Sequence, residues 1–595
     1  MDLIRKYRSI LPAKSIRGLF VLIFIVFFSG SFEVIGVASV LPFIALLANS
    51  ELISTNEYFN AIYVFLNFNS HFDFFVFIGC ITFLILLTSL AFRALSQHLS
   101  IKYALAQEYV LGKRLFNIYL NKSYRWYIEQ NTADLSKNIV NEVNQVVYNG
   151  ILPAINMLSN IVVVLGIMIF LIIINWIIAI NTMLIFGSLY LLIFFLIRSK
   201  MKSYGDKRLG FNKKRFAVLS NAFSGIKELK IFGLEDDYIN SFGKSASIYA
   251  DAQIKAQTVA QVPRNLVEAV AFGGMVLLTI YLMYTGEDLS QIVGLLSIYA
   301  VAGYRLMPAL QQIYYAFSLM RFAAPGVNIL YNEVSDEKNL FTNKNTNEEN
   351  FKLPFDTFSL ENLAFRYNPK SLDVLFDINL TLHKGKKYAL VGTTGAGKTT
   401  LIDILAGLSE PTNGLIKIKN NNVNIAGSKM WYASLGYLPQ QIGLIDDTVK
   451  RNIVLKTKLT SEEEEWLNKV LKISCVDEFL EHHKDGIDTL VGEKGIKFSG
   501  GQIQRIGLAR AIFKKPSFMI LDEATSALDP SVEEELLKRL DLALPDTTII
   551  HISHKENVIN KCDVIFFLKD GIIGDYGSYT ELEKKSQEFR NLLNK

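Results

Sequence analysis

Long apolar blocks separated by polar stretches fill roughly the first 320 positions of the chain. Several of them reach about 20 residues, the length that a helix needs to cross the hydrocarbon core of a bilayer. Six such blocks stand at residues 18–47, 74–92, 151–174, 176–197, 262–284 and 292–320. The pattern predicts a transmembrane domain of six helices over residues 1–331.

The segments between these blocks differ sharply in charge. Residues 50–73 and 285–291 contain no Lys or Arg, whereas residues 93–137 and 198–255 are rich in both. Cytoplasmic loops carry the excess of basic residues, so the latter two segments are predicted to be cytoplasmic extensions of the spanning helices. Their tips, residues 123–128 and 226–232, mix apolar and charged side chains, which suits either a docking surface or an ordinary amphipathic turn.

A change of composition marks the end of the apolar half. Residues 343–350 read NKNTNEEN, and we interpret residues 332–356 as a solvated linker. From residue 357 to residue 595, short strand patterns alternate with helical ones, as in a soluble α/β domain. The predicted fold is therefore an α-helical six-helix transmembrane domain followed by an α/β domain.

Size and charge narrow the class of protein further. A chain of 595 residues is too long for one ordinary domain, which agrees with this division. Its net charge of +5, from 61 basic and 56 acidic residues, gives no argument for nucleic acid as a partner. The three cysteines, Cys80, Cys475 and Cys562, lie far apart, so they have the spacing of neither a disulfide framework nor a metal site.

The strongest motif of the α/β domain is GTTGAGKT at residues 392–399, which fits G-x-x-x-x-G-K-[ST]. It follows an apolar run of strand type and precedes apolar residues at helical spacing, which is the required context. The glycines let backbone N–H groups face phosphates, Lys398 adds a cation, and Thr399 offers a hydroxyl to Mg²⁺. The predicted phosphate-binding residues are Gly392, Thr393, Gly395, Ala396, Gly397, Lys398, Thr399 and Thr400.

A second motif, FSGGQ at residues 498–502, precedes an apolar strand that ends in two carboxylates, Asp522 and Glu523. Together these motifs resemble the ATP-binding cassette (ABC) family of P-loop NTPases, whose signature is usually written LSGGQ. Phe498 replaces the leading leucine, and the glycine and polar positions are intact. The resemblance implies an ATPase coupled to transport, with ATP and Mg²⁺ as cofactors.

The resemblance also implies roles for single residues. Glu523 is expected to polarise the attacking water, with His554 at the γ-phosphate. Asp522 and Gln440, with Thr399, are expected to hold Mg²⁺, and Tyr367 to stack on adenine. The signature residues expected to contact the ATP of a second cassette are Ser499, Gly500, Gly501 and Gln502.

The chain has one phosphate loop and one signature motif. In the resembling family ATP lies between the loop of one cassette and the signature of another, so a single copy of each implies a partner chain, most simply a homodimer. Six helices followed by one cassette is the layout of exporter-type half-transporters. The resemblance places such a protein in a bacterial inner membrane, with its ATP-binding domain in the cytoplasm.

Three arginines at predicted membrane depth bear on the cargo: Arg93, Arg264 and Arg305. An arginine there is costly unless it faces a cavity or has a partner. They predict a basic cavity for an anionic head group, since guanidinium matches phosphate geometry. The alternative for Arg93 is the cytoplasmic interface, and for Arg264 a pair with Glu268 one helical turn away. Glu33 in the first helix is a further candidate partner for these arginines.

The outer segment at residues 57–67 is rich in aromatic side chains and too short to span. It is either a helix on the outer membrane surface or a hydrophobic cap over a loop. This segment and the short motifs around the arginines resemble the lipid-linked oligosaccharide flippases of bacterial protein N-glycosylation, which implies a polyprenyl-pyrophosphate oligosaccharide as cargo. The alternatives are an exporter of lipids, drugs or peptides, and a membrane-anchored regulator or channel, which intact Glu523 and His554 disfavour.

Overall fold

The computed structural model describes residues 2–48, 50, 52–174, 176–284, 289–335, 356–368, 370–492 and 495–593, with a few side chains inside the helices left out. The chain forms two compact units. The first consists of Met1–Lys122 and Gln130–Thr342, and the second of Ser123–Glu129 and Asn343–Lys595.

The first unit is built of helices, and its long ones coincide with the apolar blocks. Two short π-helical turns, Asn138–Glu142 and Val147–Ile151, interrupt the helical stretch that contains the third block. The α-helices are Asp2–Ile10, Ala13–Ala48, Leu52–Thr55, Glu57–Phe65, His71–Leu120, Thr132–Lys137, Val143–Val146, Leu152–Ile174, Trp176–Ser224, Ile226–Phe232, Glu235–Gln261, Pro263–Tyr284 and Leu289–Ser335.

Within the described residues, three helical stretches are long and apolar enough to cross a membrane: Ala13–Ile44, His71–Leu120 and Thr132–Ile174. The other three predicted spans lie in Trp176–Ser224, Pro263–Tyr284 and Leu289–Ser335, where several side chains are outside the described set. The number of six spanning helices therefore stays a prediction.

Two helices run far beyond the thickness of a bilayer. His71–Leu120 has 50 residues and Trp176–Ser224 has 49, so each is about 75 Å long, against about 30 Å for the hydrocarbon core. Leu289–Ser335 continues past residue 332, where composition predicts the linker, because Leu330 and Val334 are buried. The rest of the predicted linker, residues 336–355, lies outside the described residues.

The outer segment forms the helix Glu57–Phe65, which begins where the Asn56 side chain accepts hydrogen bonds from the N–H groups of Tyr58 and Phe59. Phe59 and Tyr63 pack against a small apolar core, whereas the side chains of Tyr58 and Phe65 are 81% and 85% exposed. The helix thus has one face packed on the loop beneath it and one aromatic face that is free for lipid, so both sequence interpretations stay open.

The second unit is an α/β domain with two sheets. The strands are β1 Thr357–Phe365, β2 Leu375–His383, β3 Lys387–Gly392, β4 Asn413–Ile418, β5 Asn421–Asn422, β6 Leu435–Leu438, β7 Phe518–Asp522, β8 Thr548–Ile552, β9 Val564–Lys569 and β10 Ile572–Gly577. The helices are Tyr124–Ile128, Lys398–Leu405, Lys429–Ser434, Val449–Val454, Ser461–Ile473, Val476–Leu480, Gly500–Phe513, Pro530–Ala543, Glu556–Ile559, Tyr579–Lys585 and Gln587–Leu593, with a 3₁₀ turn at Gly486–Asp488.

The strand order positions the site. The larger sheet runs β10-β9-β3-β8-β7-β6, and every neighbouring pair from β9 to β6 is parallel. Ligands of such sheets bind beyond the carboxyl ends of the strands, which here share one edge. The smaller sheet, β2-β1-β4-β5, is antiparallel. The rings of Phe358, Trp431 and Phe518 pack together in the main core, which also holds Leu401 and Leu405 of the helix after the phosphate loop.

Candidate functional site

The phosphate loop connects the end of β3 at Gly392 to the helix that begins at Lys398. The Lys398 ammonium folds back over the loop and donates to the carbonyl oxygens of Gly392 and Thr393, at 2.6 and 3.0 Å. Its cation therefore lies at the loop itself, where the motif requires it.

At two glycines of this loop there is no room for a Cβ atom. Gly397 has φ +100°, a conformation that side chains rarely adopt, and a Cβ there would lie 2.8 Å from the Leu375 side chain. Gly392 has an ordinary φ, but its Cβ would meet the Leu568 carbonyl oxygen at 2.2 Å, because β9 passes close beside it. Steric contacts therefore require glycine at the two positions where the motif G-x-x-x-x-G-K-[ST] specifies it.

Three parallel strands, β6, β7 and β8, bring the other predicted residues to the edge of the sheet that bears the phosphate loop. β6 is followed by Gln440, β7 ends at Asp522 and is followed by Glu523, and β8 is followed by His554, which is exposed. The Gln440 side-chain amide donates to the Glu523 carboxylate at 2.8 Å, and its backbone N–H donates to the Asp522 carboxylate. Residues far apart in sequence are therefore in direct contact.

Glu523 is fixed by its backbone as well as by its side chain. Its φ of +49° is unusual for a residue other than glycine, and such conformations gather at functional sites. The Glu523 N–H donates to the Ile552 carbonyl oxygen at 2.9 Å, which ties the residue to the end of β8. The carboxylate is thus held on a defined backbone rather than on a mobile loop.

Gln504 also holds this backbone, and the sequence interpretation missed it. Its side-chain amide donates to the Glu523 carbonyl oxygen at 3.2 Å and to the Ser526 hydroxyl at 2.9 Å, and it accepts from the Ala527 N–H at 3.0 Å. The residue lies buried on the helix Gly500–Phe513, directly after the signature motif. Nothing in the sequence near Gln504 indicates this role.

Burial shapes the electrostatics of the loop and of β7. It lowers the pKa of Lys398, an effect that Glu523 and Asp522 oppose. Burial, together with repulsion from Glu523, raises the pKa of Asp522, against the opposing effects of the Gln440 N–H and Lys398. Each pKa shift disfavours the charged form of its side chain. A cation bound at Asp522 and a polyanion bound at Lys398 would therefore each offset the cost of burying that charge.

These residues fit Mg²⁺ and a nucleotide phosphate. The predicted donors, the Thr399 hydroxyl, the Gln440 amide oxygen and the Asp522 carboxylate, supply the oxygen ligands that Mg²⁺ prefers. Among the described residues, no group of three or more His, Cys, Asp or Glu side chains could hold a metal alone. A site completed by substrate phosphates is the usual arrangement for Mg²⁺.

Tyr367 lies beside the loop helix, since its hydroxyl and that of Thr400 are 2.8 Å apart. Its ring packs edge-on against Phe365, and the whole residue is 37% exposed. The carbonyl oxygen of Tyr367 accepts a hydrogen bond from Arg125, whose guanidinium also lies over the Phe365 ring at 6.0 Å. The short helix Tyr124–Ile128 therefore contacts the predicted adenine-stacking residue. This contact fits the docking surface that the sequence left open for residues 123–128, although the sequence does not indicate the partner residue.

The signature motif forms the start of the helix Gly500–Phe513. Ser499 is its N-cap, and Ser499 and Gln502 bond each other's backbone N–H groups in a capping box. A Cβ at Gly501 would lie 2.8 Å from the Ala527 carbonyl oxygen, so a glycine lets the segment after Glu523 approach. The capping box fixes the start of this helix, and the polar side chains of Ser499 and Gln502 lie at its N-terminus.

Asp403 is a second residue that the sequence interpretation missed. It lies on the loop helix one turn beyond Thr399 and is buried. Burial, followed by the charge of Asp522, raises its pKa to about 6. The site therefore contains a carboxyl group that titrates near neutral pH.

Two of the three predicted membrane arginines, Arg93 and Arg264, are paired in the structure. Arg93 contacts Glu33 at 3.0 Å and Arg264 contacts Glu268 at 2.8 Å, which are the partners left open by the sequence. The expected head-group contact of Arg93 and Arg264 would therefore compete with a carboxylate already in place. Arg305 belongs to the helix Leu289–Ser335, but its side chain lies outside the described residues.

Comparison with known proteins agrees with the division of the chain into a helical part and an α/β part. Residues 375–526 match the family model described as ABC transporter, and residues 40–301 match the model of the ABC transporter transmembrane region. The structure of a bacterial Atm1-family ABC exporter with ATP bound superposes with a TM-score of 0.78, covering 98% of both chains at 20% identity. At 20% identity the superposition shows a shared fold alone.

Curated relatives match over shorter stretches. A β-(1→2)glucan export ATP-binding/permease protein of Bartonella bacilliformis is 38% identical over 226 residues, 38% of each chain. A heterocyst differentiation ATP-binding protein of Nostoc sp. is 29% identical over 376 residues, 62% of this chain and 60% of that one. A Rickettsia typhi relative is matched over 41% of its length, so this chain is similar to less than half of it. Models of the ABC transporter thus match a region in each part of the chain, and the fold is a helical transmembrane domain followed by an α/β ATP-binding domain.

Proposed function

We propose that the protein is an ATP-hydrolysing exporter. The observation that carries the proposal is the contact of Gln440 with Glu523 beside Asp522, on the sheet edge that also bears the Lys398 loop. Phosphoryl transfer needs charge neutralisation and an oriented water, and this group of residues has the chemistry for both. Lys398 binds the phosphates, while Glu523 and His554 orient the water and the γ-phosphate.

The remaining site residues complete the same proposal. Thr399, Gln440 and Asp522 hold Mg²⁺, which neutralises charge on the phosphates, and the Tyr367 ring stacks on adenine. Ser499 and the three residues after it contact the nucleotide of a second cassette. Because the chain has one phosphate loop and one signature, the partner in our proposal is a second copy of the chain.

We propose a polyprenyl-pyrophosphate-linked oligosaccharide as the cargo, moved across a bacterial inner membrane with the ATP-binding domain in the cytoplasm. The sequence resemblance supports it, as do the arginines at membrane depth and the exposed aromatic face of Glu57–Phe65. The pairs Arg93–Glu33 and Arg264–Glu268 leave Arg305 as the first residue to test. An exporter of other lipids, drugs or peptides is the second candidate, for which the arginines would be incidental.

The test is the ATPase activity of the purified chain in lipid bilayers, with and without a polyprenyl-pyrophosphate oligosaccharide. We expect the lipid to stimulate the native chain, and we expect Arg305→Ala to lose this stimulation while its basal activity stays. Lys458→Ala, which removes an exposed cation of the ATP-binding domain, is the matched control. Glu523→Gln should abolish both basal and stimulated activity.

The outcomes separate the two levels of the proposal. Basal activity without any response to this lipid in the native chain would overturn the cargo and leave the exporter in place. Absence of Mg²⁺-dependent hydrolysis in the native chain, or its persistence in Glu523→Gln, would overturn the ATPase assignment itself. Stimulation that survives in Arg305→Ala would remove that residue from the head-group site.

A further inference from the structure

One buried carboxylate of the ATP-binding domain, that of Glu533, belongs neither to the phosphate loop nor to the predicted Mg²⁺ ligands. It stands in the first turn of the helix Pro530–Ala543 and is only 1% exposed. Burying an ionised carboxylate is costly unless the group is paired and hydrogen-bonded. The groups that Glu533 contacts therefore indicate what it does.

The Glu533 carboxylate joins the segments that follow two neighbouring strands. The Lys555 ammonium donates to one of its oxygens at 3.1 Å, and the Asn557 side-chain amide donates to the other at 2.9 Å. The Thr525 hydroxyl also bonds the carboxylate. Thr525 belongs to the segment after β7, whereas Lys555 and Asn557 belong to the segment after β8. A single buried anion thus holds both segments.

Lys555 makes a second link between the same segments. Its ammonium donates to the Thr525 carbonyl oxygen at 2.6 Å, and its backbone N–H donates to the Ser553 hydroxyl at 3.0 Å. His554 lies between Ser553 and Lys555 and is exposed. The residue after His554 is therefore fixed to the segment after β7, and the turn that carries His554 is closed by the Ser553 hydroxyl.

The segment after β7 is the one that carries Glu523. Thr525 lies two residues beyond Glu523, whose own N–H donates to the Ile552 carbonyl oxygen at 2.9 Å. Two links therefore cross between the segments, one from Glu523 to Ile552 and one from Lys555 to Thr525. They fix the backbone of Glu523 relative to the backbone of His554.

The charge of Glu533 is stable across the neutral pH range. Burial raises the pKa of its carboxyl group, but the hydrogen bonds from Thr525, Asn557 and Lys555 outweigh burial and bring the pKa below its ordinary value. The position in the first turn of a helix also favours a negative charge. Glu533 is thus a permanent anion that holds the Lys555 cation, rather than a group that titrates during the reaction.

We propose that Glu533 and Lys555 are positioning residues for ATP hydrolysis, which set the place of His554 relative to Glu523. The inference rests on the proposed role of His554 at the γ-phosphate and deepens it. Neither positioning residue contacts the nucleotide in this proposal, because both act through the His554 imidazole. The effect is measurable because a displacement of a catalytic group by about 1 Å can cost a large part of the rate.

The test measures kcat and KM for ATP hydrolysis by the full chain in lipid bilayers. We expect Glu533→Gln and Lys555→Met each to lower kcat about tenfold and to change KM less than about twofold, because the reacting geometry is lost and ATP binding is kept. Lys555→Arg keeps a cationic donor for both acceptors and should retain at least about half of the native kcat. Glu534→Gln, at an exposed carboxylate of the same helix, is the matched control and should have native values.

The same changes in a His554→Ala chain decide whether the two residues act through the imidazole. In that chain Glu533→Gln and Lys555→Met should lower the remaining kcat less than about twofold, because the group that they position is gone. A merely structural role predicts a similar loss whether or not His554 is present. A further tenfold loss in the His554→Ala chain would therefore overturn the proposal.

The partly exposed position of Lys555 keeps the test decisive if thermal unfolding shows that Glu533→Gln does not fold. Lys555→Met and Lys555→Arg then carry the comparison. Native kcat in Lys555→Met would overturn the proposal, and a rise in KM at native kcat would overturn it by assigning the contacts to nucleotide binding. Failure of the proposed function is seen separately in His554→Ala with Glu533 and Lys555 intact, since native kcat there would remove His554 from the reaction.

Discussion

The side-chain amide of Gln440 donates to the carboxylate of Glu523 at 2.8 Å, joining two residues that are 83 positions apart. They meet because β6 and β7 are parallel neighbours whose carboxyl ends share one edge of the sheet. The Gln440 N–H also bonds Asp522, so one residue touches both carboxylates. Gln440 therefore orients Glu523 and leaves its amide oxygen as the atom to face a cation.

Glu523→Gln tests the role of this carboxylate. We expect ATP hydrolysis to fall about 10²–10⁴-fold, the contribution of a positioned general base, while ATP binding stays, because Lys398 and the loop are untouched. Steady-state hydrolysis and retention of labelled ATP measure the two effects. Glu534→Gln, an exposed carboxylate on the next helix, is the control and should leave both unchanged. Full hydrolysis in Glu523→Gln would exclude it as the base.

Arg125→Ala tests the contact between the helix Tyr124–Ile128 and Tyr367. Loss of the hydrogen bond to the Tyr367 carbonyl frees the backbone that carries the aromatic ring. Because the contact is partly exposed, we expect a modest rise of about threefold in KM for ATP, with kcat nearly unchanged. Steady-state kinetics in bilayers give both values, and Glu129→Ala on the same segment is the control.

The double variant of Arg125→Ala with Tyr367→Leu decides whether the two residues act together. If Arg125 acts by positioning the ring, its removal should have no further effect on KM once Tyr367 is gone. Additive effects would show that Arg125 acts by another route.

The sequence is sufficient to predict the fold class and the local structure around its motifs. The sequence GTTGAGKT forms a loop in which glycine is required by steric contacts, as at Gly397. The strand before Asp522 can be predicted from its run of apolar residues. Such features depend on neighbours within a few residues. The start of the helix Ser461–Ile473 is likewise set by near neighbours, since Thr460 and Glu463 form a capping box.

Other contacts depend on tertiary packing and leave no local signal. Nothing near Arg125 indicates that its partner is Tyr367, 242 positions away, and nothing near Asp403 indicates that Asp522 faces it. The partner of Arg93 was only one of several open choices until the structure brought Glu33 to within 3.0 Å. Pairings of charges across helices are set by the register in which the helices pack, which a single sequence does not specify.

The pair Glu142–Arg208 is fully buried in the helical unit, with both side chains 0% exposed. Asn212 also donates to Glu142, and the Arg208 guanidinium lies over the Phe322 ring at 5.6 Å. Removing one partner of a buried pair leaves an uncompensated charge, which costs about 3–5 kcal/mol. We therefore expect Glu142→Met and Arg208→Met each to lower the thermal stability of the detergent-solubilised chain strongly.

The double variant Glu142→Met/Arg208→Met should be more stable than either single variant, because no charge is then left buried. Thermal unfolding of all four proteins gives the order directly. Asp251→Asn, which breaks the exposed pair with Lys255, is the control and should have no measurable effect. A double variant as unstable as the sum of the single ones would contradict a direct coupling of the two charges.

Asp403 makes the stability of the ATP-binding domain depend on pH. Its pKa in the folded chain is about 6, against an ordinary value of 3.8, mainly because it is buried and secondly because Asp522 is near. Between these two values the folded chain still holds a proton that the unfolded chain has released, so stability falls as pH rises through this window. Above about pH 6 the ionised carboxylate costs the folded chain at most about 3 kcal/mol, from about 1.4 kcal/mol per pKa unit.

We therefore expect Asp403→Asn to unfold at a higher temperature than the native chain at pH 7.5, because the amide has no charge to desolvate. This advantage should shrink as the pH falls through 6 and vanish only as the pH falls below 3.8, the ordinary pKa, where Asp403 is protonated in both states. Thermal unfolding of the full chain in detergent across this range measures it, and Asp446→Asn, at an exposed carboxylate, is the control. A gain that is the same at every pH would show that the substitution acts through packing, and a loss at pH 7.5 would show that the ionised carboxylate is stabilised by its surroundings.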